Sequence, residues 1–132
     1  MVTCTSFQTM SKKIIFTENA PAAIGPYSQA VLANDILYVS GQIALSVFES
    51  GGSIEEETLQ VMKNLEAILQ AANATFDQVV KCSIFLKDMA DFGIVNQIYG
   101  QFFTLNPPAR ETVQVACLPK NVRVEISCIA HL

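Results

Sequence analysis

Residues 53–73 carry the pattern that most restricts the fold. Leu59, Met62, Leu65, Ile68, Leu69 and Ala72 recur at helical spacing and form one apolar face. Ser53 with Glu56 three residues later has the form of a capping box, and Glu55, Glu56 and Glu57 place negative charge at the positive end of the helix dipole. Asn73 is suited to close this helix in the left-handed conformation. A one-sided helix needs a partner layer, and the flanking sequence supplies strands. Residues 28–33 and 36–42 are β-like runs separated by Asn34-Asp35, two residues that tolerate the positive φ of a tight hairpin. Residues 79–87 alternate Val80, Cys82, Ile84 and Leu86 with Lys81, Ser83, Phe85 and Lys87, the period of a strand.

The rest of the chain extends this pattern. Residues 13–16 form a short strand, residues 20–26 a Pro/Ala/Gly-rich extended loop, and residues 48–53, with Gly51-Gly52, another loop. A second helix, capped by Asp88 or Asp91, faces inward with Phe92, Val95, Ile98, Tyr99, Phe102 and Phe103. Gly93 and Gly100 each weaken it by ~1 kcal/mol, so packing must hold it. Asn106-Pro107-Pro108 ends it, with the residue before proline expected to be extended. Strands at 112–118 and 121–130 follow, joined at Pro119-Lys120. The order β-β-β-α-β-α-β-β implies an α+β sheet with both helices on one face. The other face still carries apolar residues and should pack on further copies of the chain. Composition agrees: 51 % of residues are hydrophobic and 15 % charged, against roughly a quarter charged in average soluble domains.

The 132 residues suit one domain, with residues 1–11 read as a disordered extension and 12–132 as the folded unit. No apolar run reaches the ~18 residues of a spanning helix, so no membrane partner is expected. A net charge of -4, a pI near 4.8 and scattered lysines argue against nucleic acid as a partner. Cys4, Cys82, Cys117 and Cys128 form no Cys-x-x-Cys pair, and His131 is the single histidine, so no metal site is expected. Cys82, Cys117 and Cys128 lie in apolar strand-like runs and read as reduced core residues of a cytoplasmic protein. Residues 1–10 are Ser/Thr-rich and acid-poor like organelle transit peptides, but lack arginine.

Few residues are candidates for chemistry. Arg110 follows Pro107-Pro108-Ala109, a stiff support that would project its guanidinium from the mouth of a strand. The planar fork matches a carboxylate through two parallel hydrogen bonds, but a surface arginine is the plainer reading. Glu125 shares a strand face with Arg123 and Ser127, either facing solvent or acting as a carboxylate in a cleft. Ser40-Gly41-Gln42 ends a strand, where Gly41 marks a bulge or a close approach of a ligand to the backbone. Tyr27, in Gly25-Pro26-Tyr27-Ser28, either overhangs a pocket or packs as an aromatic.

Several segments together carry a resemblance. They are Asn19-Ala-Pro-Ala-Ala-Ile-Gly-Pro-Tyr-Ser28, Val39-Ser-Gly-Gln-Ile43, Val80-Lys-Cys-Ser-Ile-Phe-Leu-Lys-Asp-Met89, Val95-Asn96, Pro108-Ala-Arg110 and Val124-Glu-Ile126. Over residues 12–131 the chain resembles the reactive-intermediate deaminase family, also called RidA, YjgF or UK114. The resemblance implies a chorismate-mutase-like fold and a closed homotrimer with pockets between subunits. It implies hydrolysis of 2-imino or enamine acids to 2-keto acids and ammonia, with no cofactor. It gives Arg110 the substrate carboxylate and Glu125 the attacking water, while Tyr27, Ser40, Gly41, Asn96 and the backbone of Thr112 line the pocket. Some members are labelled endoribonuclease or translation inhibitor, and a non-catalytic ligand-binding or chaperone-like role is a third alternative. The chain departs from the pattern at Thr112, where many members have cysteine, at Glu111 beside Arg110, and in the loop Ser46-Val47-Phe48-Glu49-Ser50. These departures bear on substrate range.

Overall fold

The structure, a computed structural model, describes residues 11–132. Residues 1–10 of the extension read at 1–11, Cys4 among them, lie outside the described residues. In chain order the elements are β1 (Lys13–Ile15), β2 (Ala30–Ala33), β3 (Ile36–Gln42), α1 (Leu45–Glu49), α2 (Ile54–Ala71), β4 (Val79–Leu86), α3 (Phe92–Gly100), β5 (Ala109–Gln114) and β6 (Val124–His131). Short 3-10 turns at Phe76–Gln78, Met89–Asp91 and Pro119–Asn121 connect them.

The six strands form one sheet in the order β1-β2-β3-β6-β4-β5. Neighbours are antiparallel except β4 and β5, which run parallel with α3 as the crossover. The β2–β3 hairpin pairs Ala33 with Ile36, and Asn34 and Asp35 take φ of 47° and 65°, as that tight turn requires.

Both longer helices cover one face of this sheet. Val61, Met62, Leu65, Ile68 and Leu69 of α2 meet Leu37, Ile84, Leu86, Val124 and Ile126 from the strands, and Val95 and Tyr99 of α3 join the same core. Each such fully buried aliphatic side chain contributes about 1.5–3 kcal/mol. The buried stripe of α2 runs through Ile54, Thr58, Val61, Met62 and Leu65, leaving Leu59 and Ala72 only half-buried. The Ser53 hydroxyl accepts from Glu56 N–H at 3.1 Å and donates to the Glu56 carboxylate. At the other end Asn73 has φ 57°, and the Asn73 and Ala74 N–H groups bond to Gln70 and Leu69 carbonyls, a Schellman closure.

Several expectations are corrected. Part of the loop expected at residues 48–53 belongs to helix α1. Gly51-Gly52 ends that helix: Gly51 has φ 82° and donates to the Phe48 carbonyl, while Gly52 donates to the Val47 carbonyl. The second helix stops at Gly100, so Phe102 and Phe103 pack on the core from the following turn. Asn106 takes φ 49° instead of an extended conformation, a left-handed state that asparagine tolerates. Val80 points outward, 49 % exposed, because the β4–β6 register shifts between Val79 and Lys81. Strand β5 begins at Ala109 and ends at Gln114, so Arg110 sits within the strand and Cys117 is exposed beyond it.

Among the described residues no layer covers the opposite face of the sheet. Tyr38 is 50 % exposed there, alongside half-buried Phe85 and Ile129. Among the described residues no helix is long and apolar enough to cross a membrane.

Candidate active site

The singled-out residues fall into two groups. The first stands on the helix-covered side at the sheet edge. Arg110 pairs in register with buried Cys82, so its side chain leaves β5 toward α3. Its Nη1 donates to Asn96 Oδ1 at 2.7 Å, and its guanidinium carbon lies 4.9 Å from the Tyr99 ring centroid and 5.8 Å from that of Phe92. Thr112, two residues along β5, shares this side, and its buried hydroxyl has no hydrogen-bond partner among the described residues. Glu111 points the other way: Ser83 donates to its Oε1 at 2.9 Å and Lys81 pairs with it at 3.3 Å. These contacts, led by the Ser83 bond, lower its pKa and keep its charge away from Arg110.

The second group stands on the uncovered side. Val124 and Ile126 are buried toward the helices, so Glu125 between them faces outward from β6. Burial pushes its carboxyl pKa up. No cation offsets this among the described residues, whose ion pairs are Lys81–Glu111 and Arg123–Glu57. Gly41 lies against Glu125: a Cβ at position 41 would sit 2.9 Å from the carboxyl carbon. Here β3 and β6 slip register between Val39 and Gln42, so Gly41 is at once a bulge residue and a space left for a carboxylate. Ser40 Oγ donates to the Ser28 carbonyl at 2.6 Å and fastens the segment that carries Tyr27. Tyr27 is 54 % exposed and lines, with Gly41, a cleft of about 710 Å³ walled by Ala20, Ile24, Ile43 and Leu45. Arg110 and Glu125 take no part in that cleft.

Three site features were not legible as such. Phe92 and Tyr99, expected to be inward core residues, border Arg110, and their spacing with Asn96 along one helix was the available signal. Arg123 does not share the face of Glu125. It precedes β6 and reaches back to Glu57 in the first turn of α2, which accepts from its N–H at 2.7 Å and from its Nε at 2.6 Å. Its Nη2 donates to the Gly52 carbonyl at 2.5 Å, and its guanidinium lies 5.6 Å from the Phe48 ring centroid, which fixes the α1–α2 connection. Cys82 and Cys128 are directly paired across β4 and β6; both thiols are buried and desolvation pushes their pKa up. Among the described residues, no three His, Cys, Asp or Glu side chains are grouped to hold a metal ion.

Residues 17–132 match the family described as Endoribonuclease L-PSP. The chain belongs to that family, which includes the reactive-intermediate deaminases. Among its members it is 47 % identical over 131 residues to Reactive Intermediate Deaminase A, chloroplastic, of Arabidopsis thaliana, covering 96 % of this chain and 70 % of that one. It is 51 % identical over 123 residues to the 2-iminobutanoate/2-iminopropanoate deaminase of Rattus norvegicus, covering 90 % and 89 %. The crystal structure of E. coli TdcF with bound serine superposes with a TM-score of 0.84 at 38 % identity, covering 91 % of this chain and 98 % of that one. The fold is therefore the α+β fold of this family.

Proposed function

We propose that the chain hydrolyses 2-imino acids such as 2-iminobutanoate and 2-iminopropanoate to the 2-keto acids and ammonia. The observation that carries this reading is the state of the two arginines. Arg123 is engaged by Glu57, whereas Arg110 has no ion pair among the described residues and is held open by a neutral amide and two aromatic rings. Such a guanidinium is built to receive an anion, and its fork fits a carboxylate. The names of the similar deaminases supply the same substrate class.

In the proposed mechanism Arg110 holds the substrate carboxylate and places the C=N carbon opposite Glu125. Glu125 accepts a proton from water as its oxygen attacks that carbon. Glu125 hands that proton to the nitrogen, giving the neutral carbinolamine, and then carries the hydroxyl proton to the nitrogen as the C–N bond breaks, so that ammonia leaves and the ketone forms. The sum is one imine and one water in, one ketone and one ammonia out. An imine carbon is already electrophilic, so positioning and a single base suffice. A carboxyl whose pKa is raised by burial is a better base than an ordinary carboxylate.

Arg110 and Glu125 leave the sheet on opposite sides, so a complete site needs Arg110 from one copy and Glu125 from another. Two different surfaces meeting in this way form a heterologous contact, which gives a ring where the rotation between copies closes. Three copies, the number the family resemblance implies, give three such sites and cover the bare sheet face. Tyr27, Ser40, Gly41, Asn96 and Thr112 are assigned to the same pocket. The deciding experiment is ammonia release from freshly generated 2-iminobutanoate. The protein should accelerate release over buffer, and equal rates would reject the reading.

A further inference from the structure

Arg110 is bordered by one stripe of α3. Phe92, Asn96 and Tyr99 stand at i, i+4 and i+7, which aligns side chains along one helix face. All three meet the guanidinium: Phe92 and Tyr99 by ring, Asn96 by its side-chain oxygen. Tyr99 is itself fixed. It is 4 % exposed, belongs to the core shared with α2, and packs on the Phe103 ring at 4.7 Å between centroids. Its buried hydroxyl makes no hydrogen bond to Arg110, so the part of Tyr99 engaged with Arg110 is the ring. Asn96 Oδ1 is occupied by Nη1 at 2.7 Å, a charge-assisted bond that orients the guanidinium in its own plane.

We propose that this stripe is the positioning element of the carboxylate clamp. Tyr99 supports the face of the guanidinium, Asn96 sets its rotation, and Asn96 acts on the substrate through Arg110 and not by touching it. The proposal rests on the reading of Arg110 as the carboxylate ligand. An arginine side chain otherwise samples many rotamers, and freezing it before the substrate arrives removes that cost from binding. The consequence is specific: losing a positioning contact weakens the hold on every 2-imino or 2-keto acid and leaves the chemical step largely intact.

The test is a double-mutant cycle on the assembled full-length protein. It is read by KM for freshly generated 2-iminobutanoate and by Kd for 2-oxobutanoate. Asn96→Ala should raise both about tenfold in the parent, the worth of one hydrogen bond to a charged group. In an Arg110→Lys background the same change should cost less than about twofold, because the contact it removes is already gone. Equal losses in both backgrounds would show that Asn96 touches the substrate directly and would overturn the proposal. Tyr99→Leu should raise KM about fivefold with kcat little changed, the scale of a cation–π contact. Tyr99→Phe, which keeps the ring, should recover most of that loss. Failure of Phe to recover it would refute the supporting role of the ring. Asn96 is exposed, so the cycle stands even where Tyr99→Leu fails to fold. If Arg110→Lys itself binds 2-oxobutanoate as tightly as the parent, the clamp reading falls and this proposal with it. A failure confined to the Asn96 and Tyr99 variants overturns the positioning proposal alone.

Discussion

Replacing Gly41 by alanine tests the Glu125 half of the site with a single methyl group. The new Cβ would lie 2.9 Å from Cδ and Oε1 of Glu125 and 3.1 Å from its Cγ. Carbon–carbon contacts settle at about 3.5–4.0 Å, so the carboxyl must retreat by roughly 0.6–1 Å. The retreating group is the free end of a flexible side chain that no cation holds. It moves at about the cost of one off-rotamer torsion, ~0.5–1.5 kcal/mol. The backbone adds nothing to this, since the positive-φ glycines are Gly25 and Gly51, and alanine accepts the conformation of residue 41. Stability should therefore fall by about 0.5–1.5 kcal/mol, a small shift in Tm. Turnover should respond far more strongly, because a misplacement of about 1 Å at the reacting groups costs about 10²-fold. The assay is kcat for ammonia release from freshly generated 2-iminopropanoate, with thermal denaturation and sedimentation run on the same preparation. A folded, fully assembled Gly41→Ala protein turning over at the parental rate would refute the reasoning. The place of the Glu125 carboxyl would then be irrelevant to the chemistry.

Arg110→Lys keeps the charge but loses the planar fork, and should cost roughly 10- to 150-fold in kcat/KM with an unchanged melting curve. Glu125→Gln should lower kcat by ~10²–10⁴-fold while 2-oxobutanoate still binds, which separates a base from a binding group. Burial raises the folded-state pKa of Glu125, so the acid limb of the parental kcat profile should lie above the usual carboxylate value of about 4.3. The sign for stability follows from the same shift. The folded chain holds this proton more tightly than the unfolded one, so the contribution is present below the unfolded value and lost as pH rises through the folded value. Glu125→Gln should therefore gain stability relative to the parent as pH rises above about 4.3 in urea melts. Glu57 is fully buried against Arg123, and Glu57→Gln should cost about 3 kcal/mol in urea denaturation by stranding the arginine charge. Sedimentation equilibrium at micromolar concentration should return three times 14.4 kDa, and a stable monomer would contradict a site shared between copies.

The elements legible in the sequence were those whose signals are local. The α2 stripe, its Ser53 cap and Asn73 closure, and the Asn34-Asp35 hairpin each depend on residues a few positions apart. The misread elements depend on distant partners. Strand β5 takes its bounds from parallel pairing with β4, which ends where Val115 N–H donates to the Leu86 carbonyl, so residues 116–118 do not join although their apolar run looks equally strand-like. Val80 was turned outward by a slip against Ala130 and Ile129, fifty residues away in sequence. Glu57 was read as one of three equivalent acidic residues favouring the helix dipole. Its neighbours Glu55 and Glu56 are exposed, whereas Glu57 is buried because Arg123 comes to meet it.

The candidate site was legible residue by residue but not as an arrangement, and the reason is physical. Within one chain each half has the pattern of an ordinary surface. Arg110 is a cation at a sheet edge, and Glu125 is the outward member of an alternating strand, so the periodicity that reveals a core says nothing of the pocket we propose between copies. What marks the residues is their neighbours. Gly41 is small where a side chain would displace a carboxylate, and Phe92, Asn96 and Tyr99 share a helix face where an arginine needs holding. Among the described residues half-buried Glu125 has no counter-ion and the buried Thr112 hydroxyl has no partner. Such features cost stability in the isolated chain. In the proposed function substrate and the adjoining copy supply the missing contacts, and that proposal ties the chemistry to assembly.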